Sequence, residues 1–111
     1  MWNYFNPLFG QNNSKELQEA FQKNAVLVDV RTPEEFSEGS VKGAINIPLD
    51  KIDKNLDFFK DKKTVIVFCK SGGRSSQAKS ILDQDKNLEV INGGSWQNVQ
   101  KVLEEFLSQK K

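Results

Sequence analysis

The chain has 111 residues, with 16 basic against 15 acidic side chains, no histidine and a single cysteine. That length fits one domain able to bury a core unaided. One thiol excludes an internal disulfide and the missing imidazole removes the commonest zinc ligand, so neither a metal nor a cofactor is expected. A net charge of +1 and a mean hydropathy of −0.59 argue against a nucleic-acid partner or a membrane span, which needs roughly 20 apolar residues.

The N-terminus, MWNYFNPLFG, lacks the basic and apolar regions of a signal peptide. Trp2, Tyr4, Phe5 and Phe9 crowd into it, so residues 1–12 read as an aromatic arm packed over the core edge. The alternative is a contact for a partner or a second copy. Residues 13–23 read as a helix, with Asn13 as N-cap, Glu16 three residues on, and Leu17, Ala20 and Phe21 on one face. VLVDV (26–30) is a buried strand. A second helix starts at TPEEF (32–36): Thr32 caps, Pro33 takes the first turn, and Glu34 and Glu35 sit at the positive end of the dipole. Gly39 and Gly43 mark turns, and AINI (44–47) is a short strand stopped by Pro48.

Residues 49–60 carry Ile52, Leu56 and Phe59 at helical spacing, followed by the polar turn KDKK (60–63). TVIVF (64–68) is the clearest strand, 74–83 a helix, LEVI (88–91) a strand and NGG (92–94) a turn. Residues 95–107 form an amphipathic helix with Trp96, Val99, Leu103 and Phe106 on one stripe. Trp96 is therefore assigned to the core. Alternating strands and helices, with several strands apolar throughout, predict an α/β fold with a mostly parallel sheet of four or five strands and helices on both faces. Ligands of such sheets bind beyond the carboxyl ends of the strands, where both Cys69 and the Asp29–Arg31 segment fall.

CKSGGRS (69–75) joins a strand to a helix. Gly72 and Gly73 permit positive φ and close backbone approach, so successive N–H groups can turn inward as an anion nest. The helix N-terminus adds partial positive charge, Lys70 and Arg74 add full charges where they point inward, and Ser71, Ser75 and Ser76 offer hydroxyls. Such surroundings lower a thiol from its usual pKa of about 8.5. Cys69 would thus ionise without a histidine base, and Cys-His catalysis within the chain is excluded. Core packing is the plain alternative for a lone cysteine, but the Gly-Gly-Arg-Ser continuation favours a functional thiol. The loop is not a phosphate-binding G-x-x-x-x-G-K-[ST] element, and no dinucleotide fingerprint is present.

VDVRTPEEF (28–36), GSVKGAINIPL (39–49), VIVFCKSGGRSSQAKSIL (65–82) and VINGGSW (90–96), in this order and spacing, resemble a single-domain rhodanese-like sulfurtransferase. The resemblance implies one rhodanese-like domain over residues 1–111 with Cys69 as the nucleophile. Lys70, Ser71, Gly72, Gly73, Arg74 and Ser75 are implied as the substrate-binding loop. In that family a six-residue loop, here Cys69 to Arg74, goes with sulfur transfer, and a loop one residue longer goes with phosphatases and arsenate reductases. The implied reaction takes sulfane sulfur from thiosulfate or a similar small anionic donor, through a Cys69 persulfide, to a thiol, cyanide or protein-cysteine acceptor. Asp29 and Arg31 match the family's Asp-x-Arg and are expected to pair, to cap the following helix and to brace the loop. Glu35 is expected to be a dipole-favoured first-turn acid.

Two departures stand out. Ser40 occupies a position where many relatives carry histidine, and the family's usual first strand is not evident before residue 13 unless MWNYFNPLF supplies it. The alternatives to the enzyme are a persulfide carrier or redox sensor, a phosphatase of the same fold, and an idle interaction domain. The expected state is a monomer or weak homodimer without nucleic-acid or membrane partners. The unpaired thiol and the start at Met1 point to the cytoplasm, with the periplasm as the alternative for a processed exported form.

Overall fold

A computed structural model describes residues 13–109. The aromatic arm expected at residues 1–12, and any strand it supplies, lie outside the described residues. The elements are α1 (Ser14–Gln22), β1 (Val26–Asp29), α2 (Pro33–Glu38), β2 (Ile45–Asn46), α3 (Leu56–Phe59), β3 (Thr64–Cys69), α4 (Gly73–Leu82), β4 (Glu89–Ser95) and α5 (Trp96–Gln109). Among the described residues the four strands form one sheet in the order β2-β1-β3-β4, with every pair parallel. No described helix is long and apolar enough to cross a membrane.

The central strand β3 is buried at all six positions, because helices cover both faces of the sheet. Its side chains alternate between two cores. Val65, Val67 and Cys69 face Ile52, Phe59, Ala78 and Leu82, whereas Ile66 and Phe68 face Leu17, Phe21, Val99 and Phe106. The first set packs α3 and α4 on one face, and the second packs α1 and α5 on the other. Each fully buried side chain of this size contributes about 1.5–3 kcal/mol of transfer free energy. After β1 the chain runs outward to β2, then crosses to the other side of β1 for β3. The order therefore reverses between β1 and β3, and the crevice beyond their carboxyl ends is the expected ligand position.

Four local expectations change. Asn13 makes no capping bond at α1; its side-chain amide instead donates to the Asn92 carbonyl at 3.0 Å. Residues 49–60 do not form one helix. A 3₁₀ turn at Leu49–Lys51 follows Pro48, and only the four residues of α3 are α-helical. Ile52 and Phe59 are buried but Leu56 is exposed, so the segment is anchored at two points rather than along a face. NGG is not a turn but part of β4, where Asn92 pairs with Val67 and Gly94 with Phe68, leaving Gly93 as the inserted residue of a bulge. Gly93 has no space for a side chain, since a Cβ there would lie 2.5 Å from Val99 Cγ2. Lastly, α2 is capped by Thr32, whose hydroxyl accepts from Glu35 N while the Glu35 carboxylate accepts from Thr32 N; the Asp29–Arg31 pair takes no part.

Candidate active site

Cys69 ends β3, and its side chain points to the α4 side of the sheet because it shares the parity of Val65 and Val67. It is 1% exposed. The loop brings backbone N–H groups around the sulfur: Gly72 N donates to Sγ at 3.0 Å and Ser75 N at 3.4 Å. Gly72 makes this possible. It precedes α4 at φ +101°, a left-handed conformation that side chains rarely adopt, and it packs against Gly94. Burial pushes the Cys69 thiol up, but the Ser75 hydroxyl and the N–H groups of Ser75, Ser71 and Gly72 outweigh it, holding the thiol below its ordinary value.

The Ser75 hydroxyl is itself contested. It lies 3.4 Å from Sγ, 3.1 Å from the Gly72 carbonyl and 2.7 Å from Asn92 Oδ1. Asn92 also donates to the Gly72 carbonyl at 3.3 Å and accepts from Gly94 N at 2.9 Å. Asn92 thus ties the bulge of β4 to the loop beneath the sulfur. Placing NGG in a turn hides this role. Strand parity reveals it, because Asn92 shares the face of Val90, which packs in the same core as Cys69.

The other loop residues divide. Lys70, Ser71 and Gly73 are exposed, and Arg74 is half-buried. The Arg74 guanidinium turns to α2 and meets the Glu35 carboxylate edge to edge, at 2.7 Å and 3.1 Å. Hydrogen bonds from Arg74 and from Thr32 hold the Glu35 carboxyl at about 2, well below its usual 4.5. Glu35 is therefore the acidic partner of the loop arginine, beyond the first-turn role its position suggested. An open cleft of about 360 Å³, lined by Val30, Thr32, Pro48, Leu49, Asp50 and Arg74, adjoins this pair.

Asp29 and Arg31 do pair, but away from the sulfur. Arg31 donates to Asp29 through N, Nε and Nη2 at 2.7–3.0 Å, and also to the Gly39 carbonyl. Ser40 donates its hydroxyl to Asp29 at 2.7 Å, and the guanidinium lies 5.4 Å from the Trp96 ring centre. In register Asp29 lies opposite Phe68, so both project to the α5 side, the face opposite to Cys69. Among the described residues no cluster of three or more Cys, Asp and Glu side chains could hold a metal ion.

Comparison with known proteins agrees with this architecture. Residues 13–101 match the Rhodanese-like domain family. The chain is 39% identical over 74 residues to the thiosulfate sulfurtransferase PspE of Escherichia coli, covering 65% of this chain and 71% of that protein. A sulfurtransferase of Allochromatium vinosum is 33% identical over 70 residues, covering 63% and 65%. The match thus spans about two thirds of the length of these curated relatives. Among solved structures, one described as rhodanese with anions from E. coli superposes with a TM-score of 0.61 at 37% identity, covering 67% of this chain and 89% of the other.

Proposed function

The chain belongs to the rhodanese-like domain family, and from that premise we propose that it moves sulfane sulfur from thiosulfate or a similar donor through a persulfide on Cys69. One observation carries this: the sole cysteine lies at the switch point of the sheet with its sulfur ringed by peptide N–H groups. Those donors favour a thiolate and suit an anion beside it. The six-residue span from Cys69 to Arg74 is the loop length that in this family accompanies sulfur rather than phosphorus chemistry.

In the first step the Cys69 thiolate attacks the outer sulfur of thiosulfate. A new S–S bond forms, the donor's S–S bond breaks, and sulfite leaves with the bonding pair. The N–H groups of Ser71, Gly72 and Ser75 then hold the anionic terminal sulfur, with Gly73 opening α4 at the loop's end. In the second step an acceptor, whether a thiolate, a protein cysteine or cyanide, attacks that terminal sulfur and releases the Cys69 thiolate. Cys69 is the only cysteine, so the persulfide cannot collapse to a disulfide within the chain. Lys70 is exposed on the loop, and Arg74 at its end is held by Glu35. Asp29 and Arg31 support β1 from the opposite face.

Intact-protein mass spectrometry after incubation with thiosulfate tests this. The expected result is an adduct of about 32 Da on Cys69 that cyanide removes as thiocyanate. Turnover retained by Cys69→Ser refutes the assignment.

A further inference from the structure

Ser75 has one hydroxyl hydrogen and more acceptors than that hydrogen can serve. Its oxygen lies 2.7 Å from Asn92 Oδ1, 3.1 Å from the Gly72 carbonyl and 3.4 Å from Cys69 Sγ. The Gly72 carbonyl does not need it: Ser76 N donates there at 3.0 Å and Asn92 Nδ2 at 3.3 Å, which occupies both lone pairs. The Asn92 amide has one orientation, because Gly94 N donates to it at 2.9 Å and only the oxygen end of an amide accepts. Ser75 itself is fully buried on α4, so its oxygen is fixed and only the direction of the hydrogen is free. Two atoms compete for it, the Asn92 amide oxygen and the Cys69 sulfur.

The charge on the sulfur decides between them. A thiol is a weak donor and a weak acceptor, so its S–H points at the Ser75 oxygen while the Ser75 O–H donates to Asn92 at the shorter distance. A thiolate only accepts, and a hydrogen bond to a charged atom is the stronger one. The hydroxyl hydrogen then turns to Sγ, and Asn92 Oδ1 still holds the Gly94 N–H. We propose that Asn92 is a positioning residue: its amide oxygen takes the Ser75 hydroxyl hydrogen while the Cys69 sulfur is uncharged and releases it when charge forms on that sulfur. Arg74 on α4 acts on the thiolate through space and is itself fixed by Glu35 on α2. Asp29 and Arg31 on β1 belong to the opposite face, Lys79 pairs with Asp83 further along α4, Glu89 pairs with Lys23 at the start of β4, and Lys70 and Asp50 are exposed.

The consequence for the second displacement rests on the sulfur transfer proposed above. In the persulfide, Sγ is the uncharged bridging atom and the hydrogen stays with Asn92. As the acceptor attacks the terminal sulfur the S–S bond breaks, Sγ takes the bonding pair, and the hydroxyl turns to it without giving up its proton. Asn92 thus tempers the acidity that the N–H nest confers and preserves nucleophilicity, which falls as a thiol becomes more acidic.

The test is the pH dependence of Cys69 alkylation by iodoacetamide in the full chain. Asn92→Leu removes the competing oxygen and keeps the bulk of the side chain. It is expected to move the alkylation midpoint down by about 0.5–1 unit, the part of a charged hydrogen bond that Asn92 withholds. In a Ser75→Ala background the same change is expected to add no shift. Loss of a purely structural tie would loosen the loop N–H groups and raise the midpoint, with or without the hydroxyl. A midpoint that rises or stays fixed in Asn92→Leu, or a fall that persists without Ser75, overturns the inference. Should Asn92→Leu not fold, Asn92→Ala is read by the same criteria. Ser75→Ala leaves Asn92 in place and must raise the midpoint; if it does not, the hydroxyl never turns to the sulfur and the inference falls. A Cys69 persulfide formed with thiosulfate is expected to discharge to cyanide about two- to threefold faster in Asn92→Leu, because a more acidic thiol leaves faster; an unchanged or slower discharge overturns the role in the second step. Wild-type protein that forms no persulfide refutes the sulfurtransferase reading itself, whereas the alkylation midpoints decide the role of Asn92 either way.

Discussion

Removing one hydroxyl, in Ser75→Ala, isolates how much of the Cys69 acidity comes from a side chain rather than from the backbone. Ser75 is fully buried, and its N–H, which also reaches Sγ, survives the change. A hydrogen bond to a charged group contributes about 1.5–3 kcal/mol when well formed. This one is long, at 3.4 Å, and the hydroxyl hydrogen is shared with two oxygens at 2.7 Å and 3.1 Å. About half of the lower figure up to about half of the upper is the reasonable share. At 1.36 kcal/mol per pH unit that is a rise in the thiol pKa of roughly 0.5–1 unit. The assay is the pH dependence of Cys69 alkylation by iodoacetamide, with no other thiol to confuse it. The folded thiol titrates below its reference of 9.0. Its contribution to stability is therefore present above 9.0 and lost as pH falls through the folded value, and Ser75→Ala should narrow that window from below. An alkylation midpoint that stays put or moves down refutes the reasoning: the hydroxyl would then be committed to Asn92 Oδ1 and give nothing to the thiolate.

Gly93→Ala is expected to destabilise the fold by about 1–3 kcal/mol, because its methyl would press on Val99 Cγ2 at 2.5 Å and Ile66 Cγ2 at 3.1 Å; an unshifted urea midpoint would show that the bulge yields freely. Asp29→Ala should cost about 3–5 kcal/mol by leaving the Arg31 guanidinium, 5% exposed, without its anion. Combining it with Arg31→Met should recover part of the loss in the same denaturation assay. A cost below about 1 kcal/mol for Asp29→Ala would mean that water or Gly39 suffices for Arg31.

The alternation of strands and helices, the two covered faces and the position of Cys69 at a strand end were legible from period and composition. A fully apolar run such as TVIVF has few other places to go. Residues whose role depends on register were not legible. NGG carries the punctuation of a turn, yet backbone pairing with β3 continues through it because a bulge absorbs the extra glycine. Only with that register does Asn92 share the face of Cys69 and reach Ser75 and Gly72. Leu56 at helical spacing suggested one helix over 49–60, but spacing alone does not say whether a core lies opposite, and Leu56 faces solvent. Glu35 and Arg74 are 39 positions apart, and nothing local in either segment announces their meeting.

The pleat also explains why the two charged networks do different things. Asp29 and Cys69 end neighbouring strands, so proximity alone would suggest that the Asp29–Arg31 pair tunes the thiol. One residue of offset in register sends them to opposite faces, where Asp29 meets Ser40 and Arg31 meets Trp96. The sulfur is left with donors that belong to the main chain, apart from one serine. Peptide N–H groups do not titrate, and the loop geometry fixes their direction. Charged side chains lie instead at the neighbouring cleft, where Arg74 pairs with Glu35 and Asp50 lines the wall. The Ser75 hydroxyl and the loop N–H groups together therefore set how readily the thiol ionises.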